Sequence, residues 1–236
     1  MNADRRTARL VGVLYIIGTV AGILSLTVTA PVRDAQDMLI SLAANENALV
    51  AGALIVLTMG LALAMIPVLM FPILRRQNET LALGYVVFRG GLETVTSMAT
   101  AISWLLLLAL GHAYVQAGVP DPSGFQALGT VLLRGEAIES VSQIVFPLGA
   151  LMFYFMLYQT RLTPRWLSGW GLVAALLWLA TSLSVTLGLI GGQMSTIQIV
   201  LALPIGVQEM VLAVWLIVQG FSPSAIAALS ARTEPS

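Results

Sequence analysis

Residues 49–74 read LVAGALIVLTMGLALAMIPVLMFPIL and are followed at once by Arg75 and Arg76. No charged side chain interrupts these 26 positions. At 1.5 Å per residue, a helix of that length reaches about 39 Å, enough to cross a hydrocarbon layer roughly 30 Å thick. The stretch therefore predicts a transmembrane helix, with two cations holding one end at the membrane boundary.

The same reading in both directions along the chain gives five further spans. They cover about residues 10–30, 81–110, 130–158, 167–189 and 197–220. Composition agrees: 58% of the 236 residues are hydrophobic, only 9% are charged, and the mean hydropathy is +0.92. A water-facing surface needs roughly 25% charged residues, so a soluble domain is excluded. The expected fold is all-α, a single integral membrane domain over residues 1–236 built as a bundle of six transmembrane helices.

All eleven basic residues are arginines, and their positions alternate between the two ends of the spans. Arg5, Arg6 and Arg9 precede the first span, Arg75 and Arg76 follow the second, Arg161 and Arg165 follow the fourth, and Arg232 lies in the tail. The opposite loops carry Arg33 against Asp34, Asp37 and Glu46, then Asp121, then no charge at all. Cytoplasmic loops carry the arginine excess, so both termini are expected in the cytoplasm and the chain in the plasma (inner) membrane. A signal peptide is the rival reading of the first span, because Thr29-Ala30-Pro31 ends it with small residues. Its apolar length of about 20 residues exceeds the roughly 7–15 of a typical signal core, which favours a retained helix.

Between the spans little remains. Residues 31–47 and 115–129 are long enough for short surface helices, with Pro120, Pro122 and Gly124 marking turns. The tail from residue 222 onward is expected to be loose. No tandem repeat is visible, and an inverted three-plus-three repeat would leave only a faint trace in the sequence. Gly12, Gly18, Gly22, Gly52 and Gly60 suit close helix approach. Pro67, Pro72, Pro147 and Pro204 are expected to kink their helices, with a broken helix at Pro204 as the alternative. Tyr154, Tyr158, Trp166 and Trp170 flank an arginine-bearing loop, where anchoring aromatic rings sit.

Charges inside the spans carry the functional signal, because a bilayer tolerates them only when they pair or line a pathway. On the third span Arg89, Glu93, Thr96, Thr100 and Ser103 recur at intervals of four and three, one polar stripe on a helix. On the fourth, Glu136, Glu139 and Gln143 repeat that spacing, with Arg134 at the start. On the sixth, Gln198 and Glu209 share a face and Gln208 flanks Glu209. From the assumed boundaries, Arg89 lies ~12 Å deep from one surface, and Glu93 ~18 Å. Glu209 lies ~18 Å from the other surface, and Glu139 ~14 Å. Arg89, Glu93 and Glu209 are thus expected to meet near the midplane. The candidate intramembrane polar site comprises Arg89, Glu93, Glu139, Gln143, Gln208 and Glu209.

Two arginines stand against four glutamates if Arg134 and Glu136 are included. A low-dielectric core with that excess must protonate carboxylates or recruit a cation. A polar network that merely fixes helix register is the alternative, with Arg134 and Glu136 solvated.

Other chemistries lack their residues. Cysteine and lysine are absent, and His112 is the only histidine. A conventional zinc site, bis-histidine haem ligation within the chain and a lysine-bearing phosphate loop therefore have no basis. No catalytic motif is present, and neither a metal nor a cofactor is expected. A formal net charge of zero offers no field for nucleic acid. The expected partner is the lipid bilayer, with a small solute or cation as the further ligand.

Three stretches carry a family resemblance: ARLVGVLYIIGTVAGI at 8–23, FRGGLET at 88–94 and LPIGVQEMVLAVWLIVQGF at 203–221. By these the chain resembles the bacterial family described as domain of unknown function 4386. The resemblance implies a multi-pass membrane protein, and it places Arg89, Glu93 and Glu209 in recognisable segments without giving them roles. Three functional readings follow from the residues. The first is binding or transport of a small solute, proton or cation through the polar core. The second is a structural or interaction subunit of a membrane assembly. The third is a lipid-modifying enzyme using Glu139 or Glu209 as acid or base.

Overall fold

The computed structural model describes residues 3–33, 35, 38–117, 123–191 and 195–232. Asp34, Asp37, Pro120, Asp121 and Pro122, which entered the loop and charge arguments above, lie outside the described residues. Among the described residues all regular structure is helical. The elements are α1 (Ala3–Arg33), α2 (Met38–Ala44), α3 (Glu46–Leu74) and α4 (Glu79–Tyr85). A π-helical segment (Val86–Leu92) follows, and then α5 (Glu93–Ala117), α6 (Ser123–Arg134) and α7 (Glu136–Thr160). The chain closes with α8 (Arg165–Thr186), α9 (Thr196–Val218) and α10 (Pro223–Ala231).

Six helical stretches are long and apolar enough to cross a membrane: Ala3–Arg33, Glu46–Leu74, Glu79–Gln116, Ser123–Thr160, Arg165–Thr186 and Thr196–Val218. They match the six expected spans, several running longer than the apolar runs suggested. Their outward faces carry large apolar side chains in the open, such as Ile23 and Leu61 at 63% and Val173 at 67% exposure. A water-facing protein rarely leaves apolar patches of this extent uncovered, whereas lipid tails solvate them.

The spans are arranged as a ring in chain order. Each packs against its predecessor and successor, and α9 returns to α1 to close the circle. Small residues make these approaches close. A methyl on Gly12 would lie 2.5 Å from the Ala213 carbonyl oxygen of α9, and one on Gly18 2.5 Å from Leu63 of α3. Gly171 of α8 likewise sits under the Tyr154 ring of α7. The glycines of α1 therefore serve contacts within the chain.

Several elements differ from the sequence-based picture. The fourth span is two helices, because Gly135 adopts a left-handed conformation (φ 56°) between α6 and α7. Pro204 does not break α9, which runs continuously from Thr196 to Val218. The tail as far as Arg232 is not loose: α10 buries Ala225 and Leu229, and Ser230 accepts a 3.0 Å hydrogen bond from Arg76. Arg232 in turn donates to Gln77. The apolar positions of α10 give it a face to bury, which the short tail sequence did not advertise.

The same contacts gather the arginines. Arg5 lies beside Gly220, Arg76 and Arg232 bond into one cluster, and Arg161 and Arg165 line a cleft with Gln219 and Ser222. The other end holds Glu46 bonded to His112 and Arg134 near Glu136, all well exposed.

Candidate functional site

The third span is where the helix geometry departs from regularity. Between α4 and α5 the backbone loosens into π-helical turns over VVFRGGL, with Arg89 at their centre. Such insertions are uncommon and cluster at functional positions. The glycine pair Gly90-Gly91 relaxes the side-chain constraint on these turns. Gly90 nestles against Pro67 of α3, and Gly149 of α7 faces the Arg89 backbone. A methyl on Gly149 would stand 3.2 Å from both the Arg89 nitrogen and the Phe88 Cβ. The irregular segment is thus held from two sides by its neighbours in the ring.

Arg89 points from this segment into the ring's interior, at 3% exposure. Its Nη1 donates to both oxygens of Glu93, at 3.1 and 3.0 Å. Its Nη2 donates to Oε1 of Glu209, at 3.2 Å. Glu93 and Glu209 are themselves only 12% and 15% exposed. The third and sixth spans are not neighbours in the ring, so this ion pair bridges across the bundle's centre.

Aromatic residues from the first and fourth spans flank the guanidinium. It lies 4.7 Å from the Phe146 ring centroid of α7 and 5.9 Å from that of Tyr15 on α1. Such stacking suits the planar, weakly hydrated guanidinium better than a lysine ammonium. Tyr85 stacks on Phe153 at 4.7 Å, and Phe153 in turn meets Tyr154. The hydroxyls of Tyr85 and Tyr154 and the Arg89 Nε are fully buried without a well-formed hydrogen bond. Both tyrosines lie within electrostatic reach of Arg89, Glu209 and the Tyr15 hydroxyl. Buried polar atoms in this condition are rare in native structures.

This corrects one expectation. Tyr154 is not an interfacial anchor but a fully buried core residue. Tyr158 and Trp166 do sit at the periphery, with Arg165 stacked over the Tyr158 ring at 5.2 Å.

The six candidate residues fall into three places. Arg89, Glu93 and Glu209 form the triad just described. Glu139 accepts from Gln143 at 2.8 Å, and Gln198 of α9 donates to Gln143, so these form a second polar chain linking the fourth and sixth spans. Gln208 is elsewhere: its Nε2 donates to the Leu167 carbonyl of α8 at 3.1 Å. Adjacent residues on a helix point about 100° apart, so Gln208 and Glu209 face different neighbours.

The polar stripe of the third span is largely occupied with its own backbone. Thr96 bonds the Glu93 carbonyl and Thr100 the Thr96 carbonyl, while Ser103 reaches across to Leu132 of α6 at 2.7 Å. Along the third span this stripe separates two apolar cores, one including Tyr85 and the other Ala101 and Trp104. Among the described residues no three His, Cys, Asp or Glu side chains gather in a way that could hold a metal ion.

The family described as domain of unknown function (DUF4386) matches residues 10–220, and the chain belongs to it. No curated protein and no solved structure matches the chain.

Proposed function

We propose that this membrane protein carries a proton through its core, and that the triad of Arg89, Glu93 and Glu209 is the site that takes it up. The observation that carries the reading is the charge balance of the triad. One buried arginine is bonded at 3.0–3.2 Å by two carboxylates from opposite sides of the ring. If both are ionised, one negative charge remains in the bilayer interior, where an uncompensated charge is costly. A proton or a monovalent cation removes that charge. The proton is the better occupant, because Arg89 already fills the space between the carboxylates and the Tyr15 and Phe146 rings.

Glu209 is the carrying group. Glu93 holds Arg89 through both oxygens, whereas Glu209 makes a single bond and keeps an oxygen outside the ion pair. Tyr15, Tyr85 and Tyr154 supply hydroxyls within electrostatic reach of it that can relay a proton, while Glu139, Gln143 and Gln198 form a separate polar chain about three helical turns away along the sixth span. The arginine-rich end is assigned to the cytoplasm of a bacterial plasma membrane, which puts both termini inside.

Proteoliposomes holding a pH-sensitive dye test the proposal. Under an imposed pH gradient or membrane potential, the native protein dissipates the gradient and Glu209→Gln does not. No flux from the native protein, or equal flux from the variant, refutes it. The Arg89 bonds to Glu93 on its own span and to Glu209 across the ring favour a second reading, an ion-pair network that only fixes the third span against the sixth. On that reading Glu209→Gln alters stability alone.

A further inference from the structure

A cleft of about 530 Å³ opens at the arginine-rich end, between the α7–α8 and α9–α10 connections. Arg161 and Arg165 line one side, with Thr163 and Pro164 between them. Trp215, Gln219, Phe221, Ser222 and Pro223 line the other. The two connections are tied together by a 3.0 Å hydrogen bond from the Ser222 N–H to the Leu162 carbonyl, so the cleft has fixed walls.

Three independent features there favour an anion. First, the cleft lies at the start of two helices, α8 and α10, whose dipoles favour negative charge, and α8 adds the N–H of its first turn. The Ser222 side chain makes no capping bond to α10, so that N-terminus is not already satisfied by its own cap. Second, Arg161 and Arg165 are exposed, and neither forms an ion pair with a described carboxylate. Third, Thr163 is 1% exposed and its hydroxyl is buried without a hydrogen-bond partner. An orphaned buried hydroxyl costs free energy unless something is there to bond it. The backbone adds a sign of constraint: Arg161 adopts a left-handed conformation (φ 56°), uncommon for a residue other than glycine or asparagine. That conformation ends α7 and turns the chain into the cleft wall.

We propose that this cleft binds the phosphate of an anionic phospholipid headgroup. Arg161 and Arg165 supply the charge, the Thr163 hydroxyl a hydrogen bond, and the start of α8 a backbone N–H at Arg165, with the dipoles of α8 and α10 adding to the field. The lipid source follows from position. The cleft sits where the fourth, fifth and sixth spans end, beside the exposed Trp166 and the Trp215 ring that meets it edge-on at 6.5 Å. Tryptophans of this kind mark the headgroup level. The apolar wall of Leu162, Trp215 and Phe221 suits the glycerol and upper acyl chain rather than a free ion. The inference rests on membrane embedding and the proposed cytoplasmic orientation, where anionic lipids concentrate, and not on proton transfer.

The test is thermal unfolding of the full chain purified in detergent, titrated with short-chain phosphatidylglycerol, short-chain phosphatidylcholine or inorganic phosphate. The variants are Arg161→Asn, which tolerates the left-handed backbone, Arg165→Gln and Thr163→Val, with Arg6→Gln as a same-end control. Phosphatidylglycerol is expected to raise the unfolding midpoint of the native protein and of Arg6→Gln, with phosphatidylcholine doing much less. Each cleft arginine variant is expected to need at least about tenfold more phosphatidylglycerol for the same rise. Thr163→Val should fold as well as the native protein, because it loses no internal hydrogen bond, yet respond less to the lipid. Equal responses in the cleft variants and the control would overturn the site. An equal rise with phosphatidylcholine would overturn the requirement for net negative charge. An equal rise with inorganic phosphate alone would assign the cleft to a soluble phosphate and overturn the lipid.

Discussion

Replacing Arg89 with glutamine removes the cation on which two carboxylates converge. Three charge-assisted hydrogen bonds of 3.0–3.2 Å go with it, and Glu93 and Glu209 are left facing each other at 12% and 15% exposure. Removing one member of a buried ion pair costs about 3–5 kcal/mol, mostly because the survivors are stranded. Glu209→Gln is a different perturbation. Its amide oxygen can still accept from Arg89, and the triad becomes an electrically balanced pair, so the expected change is within about 1 kcal/mol of the native protein. Glu93→Gln loses the carboxylate that accepts from Arg89 through both oxygens and falls between, at about 1.5–3 kcal/mol. Combining Arg89→Gln with Glu209→Gln leaves one buried carboxylate, Glu93, where Arg89→Gln alone leaves two facing each other, so the double variant should be more stable than additivity predicts by at least about 1 kcal/mol. Equilibrium unfolding in mixed micelles, titrated with a denaturing detergent, measures all four proteins. Arg89→Gln within about 1 kcal/mol of native would refute the reasoning, since no buried charge would then be stranded.

Other consequences follow from the packing. Gly12→Ala drives a methyl against the Ala213 carbonyl oxygen and Ile217, forcing α1 from α9, and should cost about 1–3 kcal/mol in the same unfolding assay. Gln198→Leu removes the donor to Gln143 and strands its oxygen in the core, with an expected loss of about 1–3 kcal/mol. Leu229→Ala empties a fully buried position under α10 and should lower stability by about 2–5 kcal/mol, while an unchanged midpoint would mean that α10 does not dock. Asn78→Ala removes the side chain that accepts from the Leu81 N–H at 3.0 Å, costing about 1 kcal/mol.

The fold was legible in residues 49–74 because membrane insertion imposes a simple rule: length and apolarity suffice to mark a span. The triad was legible for a related reason. Charges at Arg89, Glu93 and Glu209 are so costly in lipid that depth arguments alone bring them together. What depth cannot give is rotation about the helix axis, and this is why Gln208 was grouped with Glu209 although it bonds α8. The π-helical segment adds a second rotation that a regular helical wheel does not anticipate. The only sequence trace of it is the glycine pair beside Arg89. Tyr15 and Tyr85 carry no charge and so leave a weaker mark, though a lone tyrosine within an apolar span is itself a signal. Tyr154 lies one turn before Tyr158, and proximity to the loop suggested anchoring. Its burial comes from Gly171 of α8, which lets the ring slot between helices, a contact that no spacing within α7 could reveal.

The proton-carrying role proposed for Glu209 requires the second carboxylate of the triad to hold a proton within the bilayer. Infrared difference spectroscopy on the reconstituted protein, stepped from acid to alkaline, reads this directly through the carbonyl stretch of a protonated carboxyl group. Such a band is expected in the native protein, titrating with pH and lost in Glu209→Gln. A native protein that shows no protonated carboxyl band at any pH where it remains folded, or a band that survives unchanged in Glu209→Gln, would contradict it.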